Sequence, residues 1–232
     1  MLFPDKLPYN KELKVFASYI PHQEVGGDYY DFIPINSDQF LLCIADVSGK
    51  GIPAALLMSN FQASLRTLIR LKNDLKEIIT ELNYITFHNS KGERFITCFM
   101  AIFDKKTRGL TYINAGHSHP LLLSENNNII HLKEGTTVLG AFDKLPFINT
   151  KNLILDNGML LFTYTDGLTE LNNDKDQEFG IAGIESFIKK ADRSDLRVLH
   201  KKLIKHLDTF RGNRDYKDDV TILTCKWEGL GD

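Results

Sequence analysis

At 232 residues, with 43% hydrophobic residues and 15 Phe and 8 Tyr, the chain can bury the core of one large domain. A net charge of -2 excludes a global electrostatic pull toward nucleic acid or an anionic membrane, and no apolar run approaches the roughly 20 residues of a membrane-spanning helix. Cys43, Cys98 and Cys225 lie far apart in apolar runs with no C-x-x-C pair. They read as reduced core thiols and, with no apolar leader at the N-terminus, predict a cytoplasmic protein.

In chain order, KVFASYI, YYDFIPI and QFLLCIADVS read as strands, the last two separated by the turn-forming N36-S37-D38. The period then changes. In GIPAALLMSNFQASLRTLIR, the apolar residues Ala54, Leu57, Met58, Phe61, Leu65, Leu68 and Ile69 recur at helical spacing, and Pro53 stands in the first turn, where its missing N–H costs nothing. A second helix is predicted from Asp74 as N-cap, with Leu75, Ile78, Ile79 and Leu82 on one face. Strands FITCFMAIFD, GLTYINAG and PLLLS follow, then NIIHL across a tight N126-N127-N128 turn. NLIL and GMLLFTYTD are predicted to pair as a hairpin through D156-N157-G158. EFGIAGIESFIKKAD and DLRVLHKKLIKHLDTF read as helices and DVTILTCKW as a closing strand. The basic residues Lys189, Lys190, Arg193, Arg197, Lys201, Lys202 and Lys205 fall mostly on the outer face of that last helix, the pattern of a solvated surface. Helices come in pairs and not between every two strands, which argues for antiparallel sheets flanked by helix pairs.

Four acidic sites stand at the edges of apolar strands: Asp28 in V-G-G-D-Y-Y-D-F, Asp46 in C-I-A-D-V-S-G-K-G, Asp166 in F-T-Y-T-D-G-L-T-E, and Asp218-Asp219 in K-D-D-V-T-I-L. A lone aspartate at a strand end is usually a turn or cap residue. Four of them, with Gly26 and Gly27 inside a strand-like run, are harder to attribute to turns alone. Carboxylates gathered in a fold repel one another unless a cation neutralises them. No His or Cys group has metal-ligand spacing, so the donors would be oxygen, which selects Mg²⁺ or Mn²⁺ over zinc.

VGGDYYDF, ADVSGKGIPAALLMS, NAGHSHPLLL, TYTDGLTE and KDDVTIL resemble the ordered motifs of PP2C-like metal-dependent serine/threonine phosphatases, in the bacterial branch typified by SpoIIE and RsbU, over nearly the whole chain. The resemblance implies an α+β fold, an α/β/β/α sandwich of two antiparallel sheets with helix pairs outside. It implies hydrolysis of a phosphoserine or phosphothreonine monoester by water activated between two Mn²⁺ or Mg²⁺ ions. Asp46 would bridge both metals, with the backbone carbonyl of Val47 on the second. Asp166 and Asp218 would hold the first, and Asp28 would support the second. Asp219 receives no ligand role, and Asp31 is expected to make a structural hydrogen bond. The resemblance also implies a phosphorylated STAS-domain anti-sigma-factor antagonist as substrate in a partner-switching pathway, and an upstream sensor domain or activator protein. It leaves a homodimer open. Residues 1–13 would be the end of a linker or an N-terminal extension, and 14–228 the phosphatase domain.

The chain departs from eukaryotic relatives in two places. Ser48 stands where they carry a histidine proposed as general acid, and no counterpart of their phosphate-binding arginine is found near the first motif. His117 in N-A-G-H-S-H-P is a secondary candidate for the acid, but a histidine at a strand end, like His119, is more often structural. Two rivals stand beside this reading. G-G-D is similar to the diguanylate cyclase signature, but Tyr29-Tyr30 follow it in place of an acidic residue and Phe. A weakly active or inactive PP2C-fold binding module is the other; degenerate members typically lose one of the four aspartates, and all four are present here.

Overall fold

The computed structural model describes residues 3–23, 25–72 and 74–229, so Met1 and Leu2 of the expected extension lie outside the described residues. Alternating apolar runs form two sheets. The first has the order β1 (Leu13–Ile20), β11 (Val220–Trp227), β10 (Leu160–Tyr164), β6 (Leu121–Leu123), β7 (Ile129–His131). The second runs β2 (Tyr29–Pro34), β3 (Gln39–Val47), β4 (Ile96–Asp104), β5 (Gly109–Ala115), β8 (Gly135–Thr136), with β9 (Lys151–Ile154) also on β5. All pairings are antiparallel except the two-residue contact of β5 with β8.

Side-chain parity builds the layers, because successive residues of a strand point to opposite faces. On β3, Leu41, Cys43, Ala45 and Val47 join a core with α1 (Ile52–Leu71) and α2 (Leu75–Ser90). Phe40, Leu42 and Ile44 point the other way, into a core between the sheets, where they meet Leu161, Leu223 and Trp227 of the first sheet. The opposite face of the first sheet, with Phe162, Tyr164 and Ile222, packs against Ile184, Leu199, Leu203 and Leu207 of α4 (Gly180–Lys190) and α5 (Leu196–Arg211). Three apolar seams between four layers give the α/β/β/α sandwich.

Local chemistry sets the helix ends. Pro53 stands in the first turn of α1; Asp74 caps α2 by accepting from the Lys76 N–H at 2.9 Å, and Asp195 caps α5 through Arg197 and Val198. The expected hairpin between NLIL and GMLLFTYTD does not form. β9 pairs with β5 in the second sheet, while β10 lies between β11 and β6 in the first. Both edges of β10 are taken, so the Asp156–Gly158 turn carries the chain from one sheet to the other. Gly158 takes φ +79° there and donates its N–H to the Trp227 carbonyl at 2.7 Å. The residues after β10 also fold into a short helix, α3 (Asp166–Thr169), which the strand pattern does not announce.

Candidate active site

The parity that sends Phe40, Leu42 and Ile44 between the sheets sends Asp46 there too, at the end where the apolar filling gives way to polar side chains. Asp28, one residue before β2, is 2% exposed. Its Oδ2 accepts from Thr165 Oγ1 at 2.8 Å and from Thr221 Oγ1 at 2.5 Å, tying the start of the second sheet to two strand ends of the first. Asp166 opens α3 directly after β10, and Asp218 and Asp219 precede β11.

These carboxylates repel one another. Burial, followed by the charge of Asp46, holds the Asp28 carboxyl well above the ordinary range, and the two threonine hydrogen bonds only partly offset it. Asp46 is pushed up to about 7, first by burial and then by the charges of Asp166, Asp218 and Asp219. Asp166 is raised by burial and by Asp218, with Lys50 pulling the other way. Asp218 is turned toward solvent and pairs with Lys50, whose Nζ lies 2.8 Å from its Oδ2. Among the described residues, no three His, Cys, Asp or Glu side chains converge closely enough to hold a metal ion. The donor set still fits a hard cation: it is all oxygen and mutually repulsive. The glycine at 27 contributes. A Cβ there would lie 2.9 Å from the Val47 carbonyl oxygen and 3.5 Å from Asp46 Oδ1, so the bare backbone keeps both oxygens accessible.

The remaining candidates have structural partners. Asp219 accepts from the His22 N–H at 2.8 Å and the Gly27 N–H at 3.0 Å, fixing the glycine loop over the site. Asp31 is on the opposite parity from Asp28 and faces α1. It is fully buried, accepts from Arg66 Nε at 2.8 Å and Nη2 at 3.1 Å, and is hydrogen-bonded by the Tyr29 hydroxyl. The Ser48 hydroxyl accepts from the Phe95 N–H at 2.9 Å, and its carbonyl accepts from Arg94 at 2.8 Å. His117 is buried beside β4, with Nδ1 2.9 Å from Thr97 Oγ1 and its N–H on Asn114. Burial lowers its pKa to about 4, so it is a neutral imidazole at physiological pH. His119 is also lowered, by burial first and then by His131 and Lys133.

Thr165, Thr221, Lys50 and Arg66 were missed by sequence reasoning. The threonines did leave a signal, since T-Y-T-D and D-V-T-I-L-T put hydroxyls at inward positions of otherwise apolar strands.

With this site formed at the junction of two sheets, similarity to known proteins becomes decisive. Residues 36–228 match the family model described as "Stage II sporulation protein E (SpoIIE)". The chain belongs to the SpoIIE family. The matched region contains Asp46, Asp166 and Asp218, whereas Asp28 lies ahead of it. The chain is 26% identical to the phosphoserine phosphatase RsbU of Bacillus subtilis over 97% of its own length and 66% of RsbU. Its fold is that of PP2C domains. It superposes on the SiaA-PP2C domain of Pseudomonas aeruginosa with TM-score 0.82 at 21% identity, covering 92% of this chain and 85% of that one. It superposes on RsbX in complex with magnesium with TM-score 0.70 at 17% identity, covering 96% and 98%. No helix among the described residues is long and apolar enough to cross a membrane.

Proposed function

We propose that this SpoIIE-family domain is a metal-dependent protein serine/threonine phosphatase. The observation that carries the proposal is the group of buried Asp28 and half-buried Asp46 and Asp166, each raised in pKa by burial and by the charge of a neighbouring carboxylate. A fold bears that repulsion for a reason, and perturbed carboxylates in a cleft are a mark of function. The phosphoserine phosphatase activity in RsbU's name and the magnesium of the RsbX complex support the same reading.

In this reading Asp46, the Val47 carbonyl, Asp166 and Asp218 hold the metals, and Asp28 supports them. Two bound Mg²⁺ or Mn²⁺ ions supply Lewis acidity, which acidifies water and neutralises phosphoryl charge. The chain's own residues do the rest. Thr165 and Thr221 fix the Asp28 carboxylate, and Asp219 holds the Gly27 N–H. With metal-activated water as the attacking group, no covalent phosphoryl-enzyme would form. Neutral His117, buried against Thr97, keeps a packing role.

The protein should hydrolyse p-nitrophenyl phosphate with Mn²⁺ or Mg²⁺ and lose that activity in EDTA. Full activity in chelator, or restoration by zinc alone, would overturn the reading. The substrate we propose is a phosphorylated STAS-domain protein of the same organism, an anti-sigma-factor antagonist. The chain spans about two thirds of the length of RsbU, and we propose that an upstream sensor domain or an activator protein controls it. A kcat/KM much higher for the phosphorylated STAS protein than for a phosphopeptide with the same site supports the partner; equal values remove it.

A further inference from the structure

We infer that Lys50 is the side-chain cation that binds the phosphoryl group. The inference rests on the phosphatase reading and adds a residue to it. A phosphate monoester dianion approaching Asp28, Asp46, Asp166, Asp218 and Asp219 meets a strongly negative surface, so it needs positive charge within reach beyond what the carboxylates themselves consume. Lys50 is placed for this. It stands in the Gly49–Gly51 loop, between Asp46 at the end of β3 and the first turn of α1. Both flanking glycines have positive φ, +92° and +71°, a conformation that glycine adopts readily and that shapes the turn carrying Lys50. Lys50 lines the carboxylate cleft and also an adjoining cleft of about 240 Å³ walled by Gly167, Glu170, Arg214 and Asp218, so its side chain sits where the two meet.

The loop around it is fixed, and the ammonium rests on a half-exposed carboxylate partner. Arg94 donates to the Ser48 carbonyl and Phe95 to the Ser48 hydroxyl, so the backbone ahead of Lys50 is anchored. The Lys50 side chain is 46% exposed, and its Nζ reaches Asp218 Oδ2 at 2.8 Å and the Lys217 carbonyl at 2.5 Å. An Asp218 carboxylate engaged by a divalent ion is a weaker partner for an ammonium. The flexible lysine stem then allows the charge to swing to a phosphoryl oxygen without backbone motion. Of the other two cations on the adjoining cleft, Arg214 is committed to Asp176 at 2.6 Å, and Lys217 does not line the carboxylate cleft.

The test measures inorganic phosphate as a competitive inhibitor of p-nitrophenyl phosphate hydrolysis, with phosphate binding to the metal-loaded protein followed separately by calorimetry. Lys50→Gln should weaken phosphate binding about tenfold, the loss expected for one charge-assisted hydrogen bond. It should raise KM more than it lowers kcat, and Lys50→Arg should restore most of the affinity. Manganese titration of each variant runs alongside. Unchanged phosphate affinity in Lys50→Gln, with manganese binding intact, overturns the inference and leaves the phosphatase reading standing. A phosphate defect that disappears once manganese occupancy is matched also overturns it, because Lys50 would then act on the metal. Failure of the wild type to bind manganese or turn over would instead refute the phosphatase reading.

Discussion

Asp31 and Asp46 lie on neighbouring strands and differ in parity, so removing their partners should have opposite kinds of effect. Asp31 is wholly buried on the helix side of its sheet, and Arg66 of α1 forks onto both of its oxygens at 2.8 and 3.1 Å. Arg66→Met keeps most of the side-chain volume and leaves the carboxylate, among the described residues, with the Tyr29 hydroxyl and the Phe32 N–H. Breaking a buried pair from one side costs roughly 3–5 kcal/mol, much of it the stranded charge. The Arg66 side chain is 43% exposed, which keeps the pair partly solvated and puts the expected loss near the low end, about 3 kcal/mol. For a chain of this size that is a fall in Tm of about 6–12 °C. Asp31→Asn with Arg66→Met removes both charges and should recover at least about 1.5 kcal/mol relative to the sum of the single changes. Urea denaturation of the four proteins of the cycle measures this directly, with manganese titration as a control. A loss below 1 kcal/mol for Arg66→Met, or strict additivity in the cycle, would refute the claim that this ion pair holds α1 to its sheet.

Asp46→Asn should reduce phosphatase activity by at least roughly 10²–10³-fold, the scale for removing one preorganised electrostatic group, while Asp31→Asn leaves manganese affinity near wild type; equal metal defects at the two positions would show that the carboxylates are misassigned. Rapid quench with a ³²P-labelled substrate should trap no labelled protein, and His117→Ala should lower the rate only modestly; a stable phosphohistidine would promote His117 to a nucleophile. Buried His200, held between Ser18 and Thr224, has its pKa pushed down to about 3, so the unfolded chain takes up a proton near pH 6.5 that the folded one refuses. Its contribution is therefore complete above pH 6.5 and lost as pH falls: between pH 7 and 5 the wild type should lose about 2 kcal/mol relative to His200→Gln, and parallel stability profiles in urea would contradict this.

What the sequence by itself determined is what depends on short spacing. The apolar run of Q-F-L-L-C-I-A-D-V-S set the strand that carries Asp46 near its end, the three-to-four spacing set the helix pairs, and Asp74 marked a helix start. The ordered motifs around the aspartates pointed to the family. Only the tertiary structure decided which distant groups meet. Asp28 takes its hydroxyls from Thr165 and Thr221, Asp31 its guanidinium from Arg66, and Asp218 its ammonium from Lys50, none of which is a neighbour in the chain. The Asn157-Gly158 turn shows the same limit from the other side. Its backbone chemistry was readable locally, yet β10 already had β6 and β11 on its edges, so β9 had to join β5. A turn specifies a change of direction; the strand edge left open by the rest of the fold specifies the partner.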